Sequence, residues 1–337
     1  MNHVFHIQKN KEFLDARWEI LRSIREFFWS RNFTEVETPL ILHIPGQEPY
    51  LSPMKVSLHN EKQKNFQGFL HTSPEYTLKK MLAAGYEKIF SLGKVFRDYE
   101  SFGGTHNPEF TMIEWYRANE RFTVLMDDVE ALFYFLAKKF PQAAASSLSC
   151  ERMHMRDAWK RYAGVNLDEY LEKDAMFNLC EKKGYKPEKK ESYVDLFYRI
   201  FLNEIEPKFQ DHGLVLLHHY PKEMAALSQL SQTEVGYAER VEAYVQGLEI
   251  ANGFGELTNG QEQEKRLVQE QSERNDLGKE IFPLDKDFIE AVGMMPPSVG
   301  ISIGVDRLVQ LFTGCQNIDS VLVLPASKLF DSSDIGE

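Results

Sequence analysis

Cysteine is scarce in this chain. The three that occur among 337 residues, Cys150, Cys180 and Cys315, lie far apart and form no CxxC pair. That spacing excludes a zinc ribbon or a disulfide framework and fits a reducing compartment. Long apolar runs are missing as well: no stretch of about eighteen apolar residues occurs, and the opening MNHVFHIQKNKEF lacks the apolar core of a secretion signal. Neither export nor membrane spanning is expected, and the expected location is the cytoplasm. Basic charge is in deficit, with 39 Lys and Arg against 51 Asp and Glu and a formal net charge of −12. Such a balance disfavours broad electrostatic binding to nucleic acid or to an anionic membrane. No internal repeat or low-complexity tract appears. What remains is the composition of a soluble globular enzyme, 43% hydrophobic and 27% charged, long enough to bury a sizeable core.

Apolar periodicity predicts a helix over 12–29, where Phe13, Trp18, Leu21, Ile24, Phe27 and Phe28 recur at helical spacing. A short strand at Val36 to Thr38 follows, ended by Pro39, which cannot donate to a ladder. A second helix is expected from Ser73 to Gly85, with Ser73 as cap, Pro74 in its first turn and Glu75 close behind. Residues 120–210 are mainly helical in pattern, broken at Gly164, Gly184 and Pro187, and are expected to form an insertion. In the apolar strand LVLLHHYP at 214–221, alternation sends His218 and His219 to opposite faces, which argues against a joint metal site. A charged, solvent-facing helix is expected over 261–281.

The stretch VFRDYESFGGTHNPEFTMIEWY at 95–116 is the most informative. A strand from Lys88 to Arg97 leads into a glycine-bearing loop and returns as a strand from Phe110. Alternation places Phe110, Met112, Glu114 and Tyr116 on one face and Thr111, Ile113, Trp115 and Arg117 on the other. A core strand seldom hides a glutamate, so the first face suits a binding surface for a phosphorylated nucleotide and a cationic partner.

Residues 241–257, VEAYVQGLEIANGFGEL, read as a hairpin about Gln246-Gly247. In that register Tyr244 opposes Glu249 and Glu242 opposes Ala251. Glu242 and Glu249 become diagonal neighbours on one face, able to share a hard cation or to form a solvated acidic face. The closing PPSVGISIGVDRLVQLFTG gives a strand with Gly300 and Gly304, then a helix from about Asp306 to Gly314. Arg307 falls in that helix's first turn, where a cation opposes the dipole, so a ligand is the better reason for it.

In order along the chain, helix–strand–proline at 17–40, FR…HNPEF…E at 96–114 and GxxxGVDRL at 300–308 resemble motifs one, two and three of class II aminoacyl-tRNA synthetases. SPEYTLKK, HNPEFTMIEWY and LEIANGFGELTN resemble the lysyl branch, and above all the elongation factor P lysine ligases. The resemblance implies an α+β class II catalytic fold over 1–337, a mostly antiparallel sheet flanked by helices, with motif one at a homodimer interface. Because the first motif is reached within about forty residues, there is no room for an anticodon-gripping domain. The expected acceptor is therefore a lysine side chain of elongation factor P rather than tRNA.

For activity the resemblance implies use of ATP and Mg2+ to activate lysine or β-lysine as an adenylate. It assigns Arg97 to the α-phosphate and the substrate carboxylate, Phe110 and Arg307 to a sandwich about adenine, and His106 and Asn107 to the phosphates. Ile250 and Gly304 complete the nucleotide site, and Glu242 and Glu249 hold magnesium; Arg97, Arg307 and Glu249 are the expected catalytic groups. Around the amino acid it implies Ser73, Pro74 and Glu75 at the near amino group, Glu114, Tyr116 and Glu256 at the distal ammonium, and Asn252 beside the carboxylate. Two departures from the pattern matter. The family's RxE is here Arg97-Asp98-Tyr99 with the acid delayed to Glu100, which leaves open which of Asp98, Tyr99 and Glu100 touches adenine. Ser302 stands where lysyl-tRNA synthetases have glycine and the ligases alanine, and its β-carbon favours a β-lysine-like substrate. The alternatives are a synthetase paralogue charging tRNA or another carrier, and a non-catalytic amino-acid sensor.

Overall fold

A computed structural model describes residues 3–143, 145 and 149–330. Helices α1 (His3–Lys9) and α2 (Lys11–Ser30) open the chain, followed by strands β1 (Thr34–Glu35), β2 (Ile41–Leu42), β3 (Lys55–His59) and β4 (Asn65–Leu70). Helix α3 (Glu75–Ala83), strands β5 (Lys88–Phe96) and β6 (Glu109–Ala118) and helix α4 (Thr123–Lys139) come next. Then follow β7 (Cys150–His154), α5 (Met155–Ala158), α6 (Lys173–Lys182), α7 (Tyr193–Ile200), β8 (Leu214–Pro221), β9 (Tyr237–Val245) and β10 (Leu248–Gly255). Helices α8 (Gly260–Asp276) and α9 (Lys286–Met294), strand β11 (Ser298–Gly304) and helix α10 (Val305–Thr313) complete the frame.

Eight strands form one sheet in the order β1-β5-β6-β11-β10-β9-β8-β7, and β2-β4-β3 form a small second one. Among the described residues, only the outer pairs, β1 with β5 and β7 with β8, run parallel. The central strands are antiparallel, so each can bury one face and leave the other to a site. Strand β6 does this as its alternation predicts: Ile113 and Trp115 enter the main core, while Met112, Glu114 and Tyr116 line a cavity on the other side. That core also takes Ile24, Phe27 and Phe28 from α2 and the apolar face of α4. A second core gathers Trp159, Phe197, Phe201 and Phe209 against Val215 and Leu217 of β8. The stretch 120–210 is thus shared, with α4 on the first core and the later helices on the second.

Local differences from the sequence reading have physical causes. The strand expected at Val36–Thr38 lies earlier, at Thr34–Glu35, and its pairing ends with Val36 N–H donating to Phe90 O at 2.8 Å. The 245–248 turn has Gln246 at φ 50° and Gly247 at φ 80°, the left-handed pair that a tight two-residue hairpin demands. Tyr244 does oppose Glu249, but a bulge between Glu249 and Ala251 shifts the register, so Glu242 faces Asn252 rather than Ala251. A second bulge at His219, whose φ is 61°, undoes the alternation in β8. His218 and His219 therefore meet, with their Nδ1 atoms 2.7 Å apart, and His154 stacks on His219. Helix α8 is not wholly solvent-facing: Gln263, Leu267 and Arg274 are buried.

Candidate active site

Helix α3, strands β6, β10 and β11 and the start of α10 converge on two adjoining cavities. The first, of ≈ 300 Å³, is lined among others by Glu100, His106, Phe110, Glu249, Gly304 and Arg307. The second, of ≈ 160 Å³, is lined by Ser73, Glu75, Glu114 and Tyr116, with Glu48 and Glu270. Arg97, Asn252 and Ser302 stand in the walls of both.

In the first cavity the Arg97 guanidinium lies over the Phe110 ring, 5.1 Å from its centre, and its buried Nε has no hydrogen-bond partner. Burial lowers its proton affinity, with Glu100, Glu48 and Glu249 acting in opposition. Arg307 is oriented by donating to Glu249 O at 2.8 Å and to Thr105 O at 3.3 Å, and it lies 2.9 Å from His106 Nε2. Burial and Arg307 together keep His106 neutral by lowering its pKa. Of residues 98–100, Glu100 lines the cavity, whereas Asp98 and Tyr99 do not. Tyr99, at φ 61°, is 91% exposed. Asn107 lines the cavity too, but both its polar ends are engaged, Nδ2 donating to Glu109 O at 2.6 Å and Oδ1 accepting from Ala326 N at 2.9 Å.

Glu242 sits behind this cavity rather than in its lining. Its carboxylate accepts from the hydroxyls of Tyr220 and Tyr244 and from Arg240, each at 2.5 Å. Glu249 is open to the cleft and Ile250, next to it, also lines the cavity. Protein bulk and the charge of Glu242 raise the Glu249 pKa, an effect tempered by solvent in the cleft. Among the described residues, no three His, Cys, Asp or Glu side chains are grouped to hold a metal by themselves.

The second cavity is acidic by construction. Ser73 Oγ accepts from Glu75 N–H at 3.0 Å and donates to Glu114 Oε2 at 2.7 Å, although the N-cap of α3 is Pro74 rather than the expected Ser73. Tyr116 OH donates to the other oxygen of Glu114 at 2.7 Å. Burial and Glu75 raise the Glu114 pKa despite these donors. Pro74 opens α3 but does not line the cavity, and Glu256 lies beneath its wall. Lys79, fully buried, is 2.6 Å from Glu75 Oε1 and 2.7 Å from Glu256 Oε2. Burial alone would lower the Lys79 pKa, but Glu256 and Glu75 outweigh it and the ammonium stays charged. Glu256 Oε1 is buried without a hydrogen-bond partner, an orphan acceptor of the kind a ligand satisfies. Gly300 is indispensable here, since a Cβ would lie 2.2 Å from Tyr116 Cε1 and 2.6 Å from Glu256 Oε1. The motifs read from the sequence do not include Glu48 or Glu270, and they give Lys79 no role. The i, i+4 spacing of Glu75 and Lys79 was a readable signal; nothing local marked the other two.

A mainly antiparallel sheet, with an arginine shared between a stacking chamber and a second, polar pocket, defines a class II synthetase-type catalytic domain. The chain belongs to that family: the model described as "tRNA synthetases class II (D, K and N)" matches residues 3–328. Within the family, the chain is 36% identical to an Aquifex aeolicus protein named "Elongation factor P--(R)-beta-lysine ligase homolog", across 92% of this chain and 98% of the relative. It is 35% identical to the "Elongation factor P--(R)-beta-lysine ligase" of Histophilus somni, covering 91% and 93% of the two chains. A "Lysine--tRNA ligase" of Campylobacter jejuni is 32% identical over 96% of this chain, which spans 65% of that relative.

Proposed function

We propose that this chain is an ATP-dependent ligase that activates lysine or β-lysine as an adenylate and transfers it to a lysine side chain of elongation factor P. The observation that carries the reading is the position of Arg97 in the wall common to both cavities. A carboxylate from the acidic cavity and an α-phosphate from the other would meet at one guanidinium, which offers donors to both. The carboxylate oxygen attacks the α-phosphorus, the bond to the bridging oxygen breaks, and pyrophosphate leaves. The acceptor amine then attacks the acyl carbon and AMP leaves.

Phe110 and Arg307 would stack on the adenine faces, a flat pairing suited to a ring and a guanidinium. Glu100 would approach adenine, Ile250 and Gly304 would flank the nucleotide, and His106, neutral, would face its phosphates with Asn107 bracing the loop. Asn252 would lie beside the carboxylate. Glu75, with Ser73 and Pro74 shaping its turn, would take the near amine, and Glu114, Tyr116 and Glu256 the distal ammonium. Magnesium would be held by Glu249 with Glu242 behind it, since a cation relieves the repulsion that raises Glu249 and the nucleotide's oxygens would complete the shell. Bound there, it supplies charge neutralisation to the phosphates.

Near full-length relatives named for elongation factor P support the protein acceptor, and Ser302 on the floor of both cavities supports β-lysine. The compartment would be the cytoplasm; no helix among the described residues is long and apolar enough to cross a membrane. The whole chain would act as one catalytic domain, with the second core as its insert. A second reading, transfer to tRNA, is favoured by the lysine–tRNA ligase relative. Incubation with ATP, β-lysine and purified elongation factor P should add one aminoacyl mass to the factor. Unchanged mass with every lysine isomer would overturn the reading, and label in acid-precipitable RNA would favour the second.

A further inference from the structure

Two acids in the second cavity have no assigned task. Glu48 comes from the loop before β3 and Glu270 from α8. Helix α8 sets them together through an inner face spaced four, three and four residues apart, Gln263, Leu267, Glu270 and Arg274. Arg274 donates to the carbonyls of Glu48 at 2.9 Å, Leu51 at 3.0 Å and Glu280 at 2.7 Å, pinning the Glu48 loop one turn from Glu270. The Glu48 carboxylate folds over the loop's own backbone, where its Oε2 would lie 2.2 Å from a Cβ on Gly46.

The other acids of this cavity are partnered. Glu75 gives Oε1 to Lys79, and Glu114 receives Ser73 and Tyr116. Among the described residues, neither Glu48 nor Glu270 belongs to an ion pair. Burial raises both, with Glu75 adding to the effect at Glu48 against Arg97 and Arg274, and Glu48 helping to push Glu270 up to about 8 against Arg266. Crowded, unpaired carboxylates lining a cavity are costly unless a cation arrives. Their place decides which cation. Glu48 faces Arg97 and Glu75, on the side where the cavities join, whereas Tyr116 lies over Gly300 and Glu114 lies opposite Ser302.

Resting on the adenylate-forming reading above, we infer that Glu48 and Glu270 form a second ammonium-holding pair for the amine nearest the reacting carboxyl. An ammonium brings three donors. Glu75, half committed to Lys79, cannot satisfy them alone, and Glu48 and Glu270 supply the remaining acceptors. Because they come from a loop and a helix outside the sheet, their reach sets whether that amine is accepted on the α- or the β-carbon. They are specificity-determining residues rather than participants in the phosphoryl step.

The test is amino-acid-dependent ATP–pyrophosphate exchange with the intact chain. The substrates are lysine, β-lysine, 6-aminohexanoate, which lacks the near amine, and 2-aminohexanoate, which lacks the distal one. Glu48→Gln and Glu270→Gln should each cut the preference for a diamino acid over 6-aminohexanoate by about tenfold and shift the ratio of β-lysine to lysine. The preference over 2-aminohexanoate and the KM for ATP should stay within about twofold, which general damage to the fold would not allow. A near-amine preference unchanged in both variants would overturn the inference while leaving the ligase reading intact. Absence of exchange with either diamino acid in the unmodified protein would overturn both.

Discussion

At the scale of single residues, the acidic cavity depends on balance rather than on any one acid. Lys79 is fully buried between Glu75 and Glu256, and its charge opposes the burial that raises the Glu256 pKa. Removing its ammonium would leave those acids to repel each other. Space is as tight as charge. Gly300 lets β11 pass under the Tyr116 ring and Glu256, and no rotamer change at Gly300 could relieve a methyl placed there. Gly300→Ala should therefore raise the KM for the amino acid by about tenfold or more and cost about 1–3 kcal/mol of stability through overpacking. Exchange kinetics and denaturant melts measure the two effects, and a KM within twofold of the parent would contradict the packing account.

Elements add what single residues cannot. Two bulges, in β8 and β10, each re-aim side chains that strict alternation would separate. In β10 the extra residue keeps Glu249 beside Tyr244 while moving Asn252 opposite Glu242, so a cavity-lining acid and a cavity-lining amide share one strand face. In β8 the left-handed His219 gathers His154, His218 and His219. Burial first, then neighbouring charge, lowers His218 to about 3 and His219 to about 4. An unfolded histidine titrates near 6.5. The folded form thus resists protons that the unfolded chain accepts, so the stabilising effect is whole above about pH 6.5 and is lost as pH falls toward 4. The melting temperature should drop between pH 7 and pH 5. His219→Asn, which tolerates the left-handed backbone and cannot titrate, should flatten that drop; an unaltered pH slope would show that the cluster does not govern acid stability.

For the whole molecule, the question is what covers the open side of α2. Trp18, 47% exposed, borders an apolar groove of ≈ 770 Å³ with Leu21, Leu92, Leu322 and the exposed Phe330. Behind that groove, Arg17 of α2 is held by Asp306 and donates to Thr111 Oγ1 at 2.7 Å, while Thr111 N–H donates to Asp306 Oδ2 at 3.0 Å. Asp306 adjoins Arg307 and offsets its unfavourable place at the positive end of α10. One buried network therefore joins the groove to the nucleotide cavity. A homodimer across α2 is the expected assembly. Sedimentation at micromolar concentration should give twice the chain mass, and Trp18→Glu should shift it toward the monomer; a monomeric parent would contradict the assignment.

Much of this was legible in the residues themselves. Alternation along β6 tells which side chains face the cavity, the Ser-Pro-Glu start locates α3 to within two residues, and the Gln246-Gly247 turn sets the hairpin, because each depends on near neighbours in the chain. Tertiary structure alone decided the rest. It put Arg97 in a wall between two cavities, brought Glu48 and Glu270 together from segments more than two hundred residues apart, and spent Asn107 on bracing Ala326. It also overrode strand alternation at Ile250 and His219. The physical reason is the same in each case: local sequence sets which way a side chain points, but burial, bulges and the pairing of distant charges depend on what the folded chain places opposite it.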